Sequence, residues 1–147
     1  MSAPLVLFLT DDGRDAAGRT FADVLAMDDG QIEARHDFIQ WLFPLTEPSR
    51  AVPGSPWLDA AALTALRDHP EAARRQAQAA ARMLAFYRAT TGWRGRFDHN
   101  QQRITRIIRS LRLVSGDDAA DAFKAHILAL AEGSAVNAET LAFWREA

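Results

Sequence analysis

Cysteine is absent from the 147-residue chain. That removes disulfides, thiolate zinc sites and cysteine nucleophiles together, and it leaves the compartment open on redox grounds. Long apolar runs are missing as well, since nothing approaches the ~20 residues a membrane-spanning helix needs. The opening stretch Leu5-Val6-Leu7-Phe8-Leu9 looks briefly like a signal peptide. It has no basic segment before it and stops short of the usual ~7–15 apolar residues, so a cytoplasmic location is the default expectation. Catalytic signatures are equally scarce. The histidines, His36, His69, His99 and His126, include no pair at i,i+4 and no His-Glu-x-x-His zinc helix. No Gly-x-Ser-x-Gly elbow, phosphate-binding loop or dinucleotide fingerprint is present. No enzyme, cofactor or resident metal is therefore expected. The net charge of −2 gives no wholesale attraction to nucleic acid or to an anionic membrane.

What is present is ordinary globular material. Hydrophobic residues make up 48% and charged residues 24%, enough to bury one core in a single domain spanning residues 1–147. The periodicity predicts a compact all-α bundle of six or seven helices, with Leu5–Leu9 as an extended N-terminal arm or short strand. Thr20 with Asp23 resembles a capping box opening a short helix. Asp28 or Asp29 starts a second helix that runs to Phe43 and is stopped by Pro44. Leu45 to Trp57, with three prolines and a glycine, is an irregular crossing. Asp59 caps a helix over residues 60–67. Pro70 opens a long alanine-rich helix to about Thr90 whose expected seam is Ala73, Ala77, Ala80, Leu84 and Tyr87. Asp98 or Asn100 caps the next helix, Asp117 starts another with Phe123, Ile127 and Leu130 on its buried edge, and Asn137 caps the last.

Two segments stand out. On a continuous helix through residues 29–43, His36, Ile39, Gln40 and Phe43 share a face, while Phe38 and Leu42 lie opposite. A helix apolar on nearly all sides is central and buried, so His36 and Gln40 are expected as buried polar groups that each need a partner. Farther on, Arg103, Arg106, Arg109 and Arg112 recur every third residue around an apolar stripe of Ile104, Ile107, Ile108 and Leu111. With Arg94 and Arg96, residues 92–112 hold six arginines against one aspartate, a local charge of +5, which leaves −7 on the rest of the chain. Such segregation is either a solvated helix face or a footprint for an anionic partner, including nucleic acid.

The run His36-Asp37-Phe38-Ile39-Gln40-Trp41-Leu42-Phe43-Pro44-Leu45, followed by His99-Asn100-Gln101-Gln102-Arg103-Ile104-Thr105-Arg106-Ile107, resembles the conserved N-terminal domain of the opioid growth factor receptor family. Weaker agreement at Asp15–Arg19, Met83–Tyr87 and Thr140–Trp144 extends the likeness over nearly the whole chain. The resemblance implies an all-helical fold. Its animal members are non-classical receptors for the pentapeptide Met-enkephalin, act at the nucleus to restrain growth, and carry further C-terminal targeting segments and repeats. The sequence here carries no such segments, as expected of a domain-only member, and its alanine and arginine richness points to a bacterial source.

The expected site is accordingly a cluster of His36, Gln40, His99, Asn100 and Arg103, with Trp41 and Trp93 as apolar wall. It would bind a peptide or small anionic ligand, His36 and Gln40 orienting it and Arg103 taking its charge. The bland alternative is a sealed polar network that fixes the core, with His99 and Asn100 as a helix-entry cap. Nucleic-acid binding through Arg94, Arg96, Arg106, Arg109 and Arg112, or a protein interaction module that forms homo-oligomers, are the competing readings.

Overall fold

The computed structural model describes residues 3–147. Among them are nine α-helices and no β-strand: α1 (Ala3–Thr10), α2 (Phe21–Leu25), α3 (Asp29–Ala34), α4 (Ile39–Leu42), α5 (Ala60–Arg67), α6 (Pro70–Ala89), α7 (His99–Val114), α8 (Asp117–Ala131) and α9 (Ala138–Glu146). A single 3-10 turn at Gly92–Arg94 joins α6 to α7. None of these helices is long and apolar enough to cross a membrane.

The capping chemistry sets most boundaries where the residues place them. Thr20 and Asp28 open α2 and α3 with reciprocal capping boxes, through Asp23 and Gln31 respectively. Asp59, Asp98 and Asn137 each accept from a first-turn N–H of the following helix. Such caps satisfy backbone donors that otherwise have no partner.

The bundle is built on α6, α7 and α8. Ile104, Ile107, Ile108 and Leu111 of α7 are fully buried, as are Ala120, Phe123 and Ile127 of α8. Trp93 packs between Tyr87 and Trp144, with ring centroids 5.3 Å and 6.2 Å away. Its indole N–H donates to the carbonyls of Tyr87 and Thr90.

Three expectations need correction. The N-terminal arm is a helix, with Leu5, Phe8 and Leu9 buried on one face and Leu7 turned outward. Five successive apolar residues carry no period, so only the tertiary setting decides. Arg75 donates to the carbonyls of Phe8 and Asp11 at the end of α1, and Gly13 tucks so closely under it that a Cβ would meet the Leu7 backbone at 2.6 Å. The seam of α6 keeps Leu84 and Tyr87 but is displaced in its first half, to Ala72, Gln76 and Ala79, with Met83 and Phe86 added. Alanine is too weakly apolar to mark a face, and the buried Gln76 is a seam position that polarity conceals. Finally, the helix expected over residues 29–43 is broken in two. Arg35 is extended (φ −94°, ψ 141°), and α4 begins only at Ile39. The new α1 and this break raise the helix number from seven to nine.

The break is stabilised from α7. Arg103 reaches across, donating to the carbonyl of Ile32 at 2.8 Å and to that of Arg35, while its guanidinium lies 5.4 Å from the Phe38 ring centre. Arg106 donates to the Phe43 carbonyl at 3.1 Å, and Gln76 of α6 donates to that of Leu42 at 3.2 Å. Arg19, held by Asp15, ties down Asp37 at 2.9 Å. Short helices leave unpaired carbonyls at every C-terminal end. Here long polar side chains from the neighbouring helices take them up.

Candidate functional site

Between the α3–α4 segment, the loop at residues 45–52 and the outer face of α7 lies a cleft of about 860 Å³. Gln40 and Ile39 line it from α4, Arg103, Arg106 and Arg109 from α7, and Val52 from the loop. His36 and His99 stand at one end, and Phe143 of α9 contributes an aromatic edge. The apolar parts exclude water, and the cations give the cleft its sign: Arg50, Arg103, Arg106 and Arg109 against Glu47 alone among the lining residues.

The three α7 arginines differ in their commitments. Arg103 is buried and turned to carbonyls and to Asn100 Oδ1. Burial disfavours its charge and lowers its pKa below the usual guanidinium value. Arg109 pairs with Glu47 at 2.8 Å. Arg106, half-buried, has the Phe43 carbonyl as its hydrogen-bond partner and forms no ion pair among the described residues. Desolvation and then the Arg109 charge lower its pKa, opposed by the charge of Glu47, which lies beyond ion-pair distance and pairs with Arg109 instead.

Gln40 supplies the second uncompensated group. Its side chain is 3% exposed, and its Oε1 has no hydrogen-bond partner among the described residues. A buried acceptor left this way costs about 1–3 kcal/mol. Beside the cleft runs a connected polar chain. Tyr87, whose hydroxyl burial keeps protonated, lies 3.5 Å from Asn100 Oδ1; Asn100 Nδ2 donates to Glu33 Oε2 at 2.8 Å; and Glu33 Oε2 is 3.4 Å from His99 Nε2. The rings of His36 and His99 meet edge to face at 5.1 Å. Partial desolvation, and then the charge of Arg103 beside it, lowers the His36 pKa below its ordinary value. Arg103 donates to His36 Nδ1 at 3.3 Å, which places the proton of the neutral ring on Nε2.

The structure thus brings His36, Gln40, His99 and Arg103 to one cleft, with Asn100 behind them. His36 is exposed rather than buried, because the helix expected to carry it inward is broken there. Trp41 and Trp93 are core residues outside the cleft lining; Trp41 packs against Phe8 at 5.5 Å. The remaining arginines scatter. Arg94 lies over Trp93, Arg96 over Phe97, and Arg112 is held by Asp117 and Asp121 at 2.9 Å and 2.8 Å. Only Arg106 and Arg109 of the expected anion surface reach the cleft.

Three contributors carry no signal in the sequence. Glu33 lies one turn before His36, but nothing in the residue order pairs it with His99, because contacts between separate helices leave no spacing. The wall at residues 45–52 has the composition of an irregular crossing and nothing more. Phe143, 54% exposed, lines both this cleft and a smaller groove of about 540 Å³ between α7 and α9, where Phe97 is 77% exposed.

No curated protein and no solved structure shows significant similarity to the chain. The family model described as the Opioid growth factor receptor (OGFr) conserved region matches residues 17–142, a span that takes in α2 to α9 up to Ala142 and most of the cleft. The chain therefore belongs to the family of the opioid growth factor receptor conserved region.

Proposed function

We propose that this chain is a non-enzymatic, receptor-like binding domain whose cleft takes a small anionic ligand or the charged end of a short peptide. The observation that carries this reading is the pairing of two unmet needs in one recess: the buried, partnerless Oε1 of Gln40 and the half-buried Arg106 without a paired anion. A ligand with a hydrogen-bond donor near a carboxylate or phosphate answers both. Arg109 adds charge at the mouth by exchanging Glu47 for the ligand, and Ile39, Leu45 and Phe143 cover its apolar part. Arg103 shapes the cleft from behind instead of taking the ligand's charge, since its nitrogens already serve Ile32 and Arg35. Nucleic-acid binding has less support, because Arg112 is neutralised by two aspartates and Arg103 faces inward.

The test is thermal-shift screening followed by calorimetry with small carboxylates, phosphate esters and short peptides. The expected hit binds wild type and the Arg14→Gln control alike and is weakened by both Gln40→Met and Arg106→Gln. A panel that yields no ligand, or only ligands indifferent to those two changes, overturns the assignment.

A further inference from the structure

We propose that Glu33, Asp98 and His99 form a site for a divalent transition-metal ion of the zinc class, on the rim between the cleft and the α7–α9 groove. One donor atom from each residue lies within 4.8 Å of the other two. His99 Nε2 stands 3.4 Å from Glu33 Oε2, while the 3.8 Å approach of Asp98 Oδ1 is to the other ring nitrogen, Nδ1. Two nitrogen or oxygen donors at about 2.0–2.2 Å from a tetrahedral ion are themselves about 3.4 Å apart. The Glu33–His99 pair thus already has the spacing of two ligands, and Asp98 offers a third oxygen within 4.8 Å of both.

The surroundings suit the role. Asp98 Oδ2 accepts the Asn100 N–H at 3.0 Å as the cap of α7, which leaves Oδ1 for an ion. Asn100 Nδ2 orients the Glu33 carboxylate at 2.8 Å, and Asn100 is itself anchored by Arg103 and Tyr87. Hydrogen bonds to ligating carboxylates of this kind hold a metal site in shape. Two carboxylates and one imidazole make a donor set that suits zinc and its neighbours, with the carboxylates offsetting the ion's charge. His36 lies outside the group, with its Nδ1 turned to an Arg103 nitrogen at 3.3 Å. Three protein ligands leave a position for water or for a ligand's oxygen.

This site is independent of the arginine cleft and is tested apart from it. Chelator-treated full chain is titrated with Zn2+ by calorimetry and with Co2+ by visible absorption. The expected result is one equivalent bound, a melting temperature that climbs with metal concentration, and Co2+ bands of low-symmetry coordination. Glu33→Gln and His99→Ala abolish all three, while His126→Ala keeps them. If circular dichroism shows that either variant fails to fold, Co2+-induced shifts in the NMR spectrum of the wild-type chain decide. Shifts centred on His99 and Glu33 uphold the site. No saturable binding at millimolar metal, equal binding by folded variants, or shifts centred on His69 or His126 overturn it, leaving a plain His99–Glu33 hydrogen bond.

Discussion

Gln76 and Gln40 are buried to nearly the same degree, at 0% and 3% exposure, on opposite sides of the α4 segment's chemistry. Gln76 is answered wholly from within: its Nε2 donates to the Leu42 carbonyl and to Ser110 Oγ, and its Oε1 accepts from Ser115 at 2.7 Å. Gln101 is similarly satisfied, donating to the carbonyls of Trp93 and Gly95. Gln40, at the cleft, has an oxygen that nothing in the described residues meets. The difference separates polar groups that specify the packing from a polar group placed at a recess. Buried amides are costly unless partnered, and of the buried amides Gln76, Asn100 and Gln101 are met from within, while Gln40 alone keeps an oxygen without a partner among the described residues.

The largest expected effect comes from breaking the satisfied side. Gln76→Met keeps the volume but strands the Leu42 carbonyl and the Ser110 hydroxyl in the core and leaves the half-buried Ser115 hydroxyl without its acceptor, and should cost about 3 kcal/mol in chemical denaturation. An unchanged midpoint would mean that Gln76 is a passenger and that the contrast with Gln40 has no energetic content. Arg103→Met follows at about 2 kcal/mol, because the carbonyls of Ile32 and Arg35 can recover part of their bonding from water once the side chain is gone. Its sharper signature is local. Amide exchange over residues 32–43 should accelerate, while the amides of α8 stay protected. Uniform acceleration across both would show that Arg103 supports the whole bundle and not the α3–α4 break.

The same contrast explains how much of the molecule is legible in its residue order. The α6–α8 scaffold follows from periodicity and caps: Ile104, Ile107, Ile108 and Leu111 are buried as their spacing predicts, and Asp59, Asp98 and Asn137 begin helices as their side chains allow. The cleft side is legible in its residue types and not in its geometry. His36 and Gln40 share a face on an ideal helix, but that helix does not exist there: Arg103 takes the carbonyls of Ile32 and Arg35, which an unbroken helix would have kept for itself. The arginine row likewise reads as one surface, yet its members serve carbonyls, aspartates and a cleft in turn. The expectation of no metal rests on spacing within helices. The cluster of Glu33 with Asp98 and His99 joins α3 to the start of α7, where spacing carries no information.

A smaller effect sits on the scattered end of the arginine row. The hydrogen bond from Arg112, then its charge, hold the Asp121 carboxyl below the usual aspartate range. A carboxyl depressed on folding contributes stability above its unfolded pKa and loses it as pH falls through the folded value. An NMR titration of Asp121 should therefore give a midpoint below ~3.9 that rises in Arg112→Gln and in high salt. A midpoint indifferent to both would free Arg112 for an outside anion and restore the continuous arginine surface.

The smallest expected change in stability, Gln40→Met, is the most informative. Replacing an amide whose oxygen lacks a partner with an apolar side chain of similar size removes a desolvation cost and loses little, so the denaturation midpoint should stay within about 0.5 kcal/mol of wild type or rise. Ligand binding in the cleft should fall away in the same variant. The two readouts moving in opposite directions is the signature of a residue retained for what it binds and not for what it packs. A loss of about 2–3 kcal/mol, comparable to Gln76→Met, would instead reveal a partner supplied from inside, such as an ordered water. The two glutamines would then belong to one structural class, and the cleft would lose the group that distinguishes it from an ordinary surface furrow.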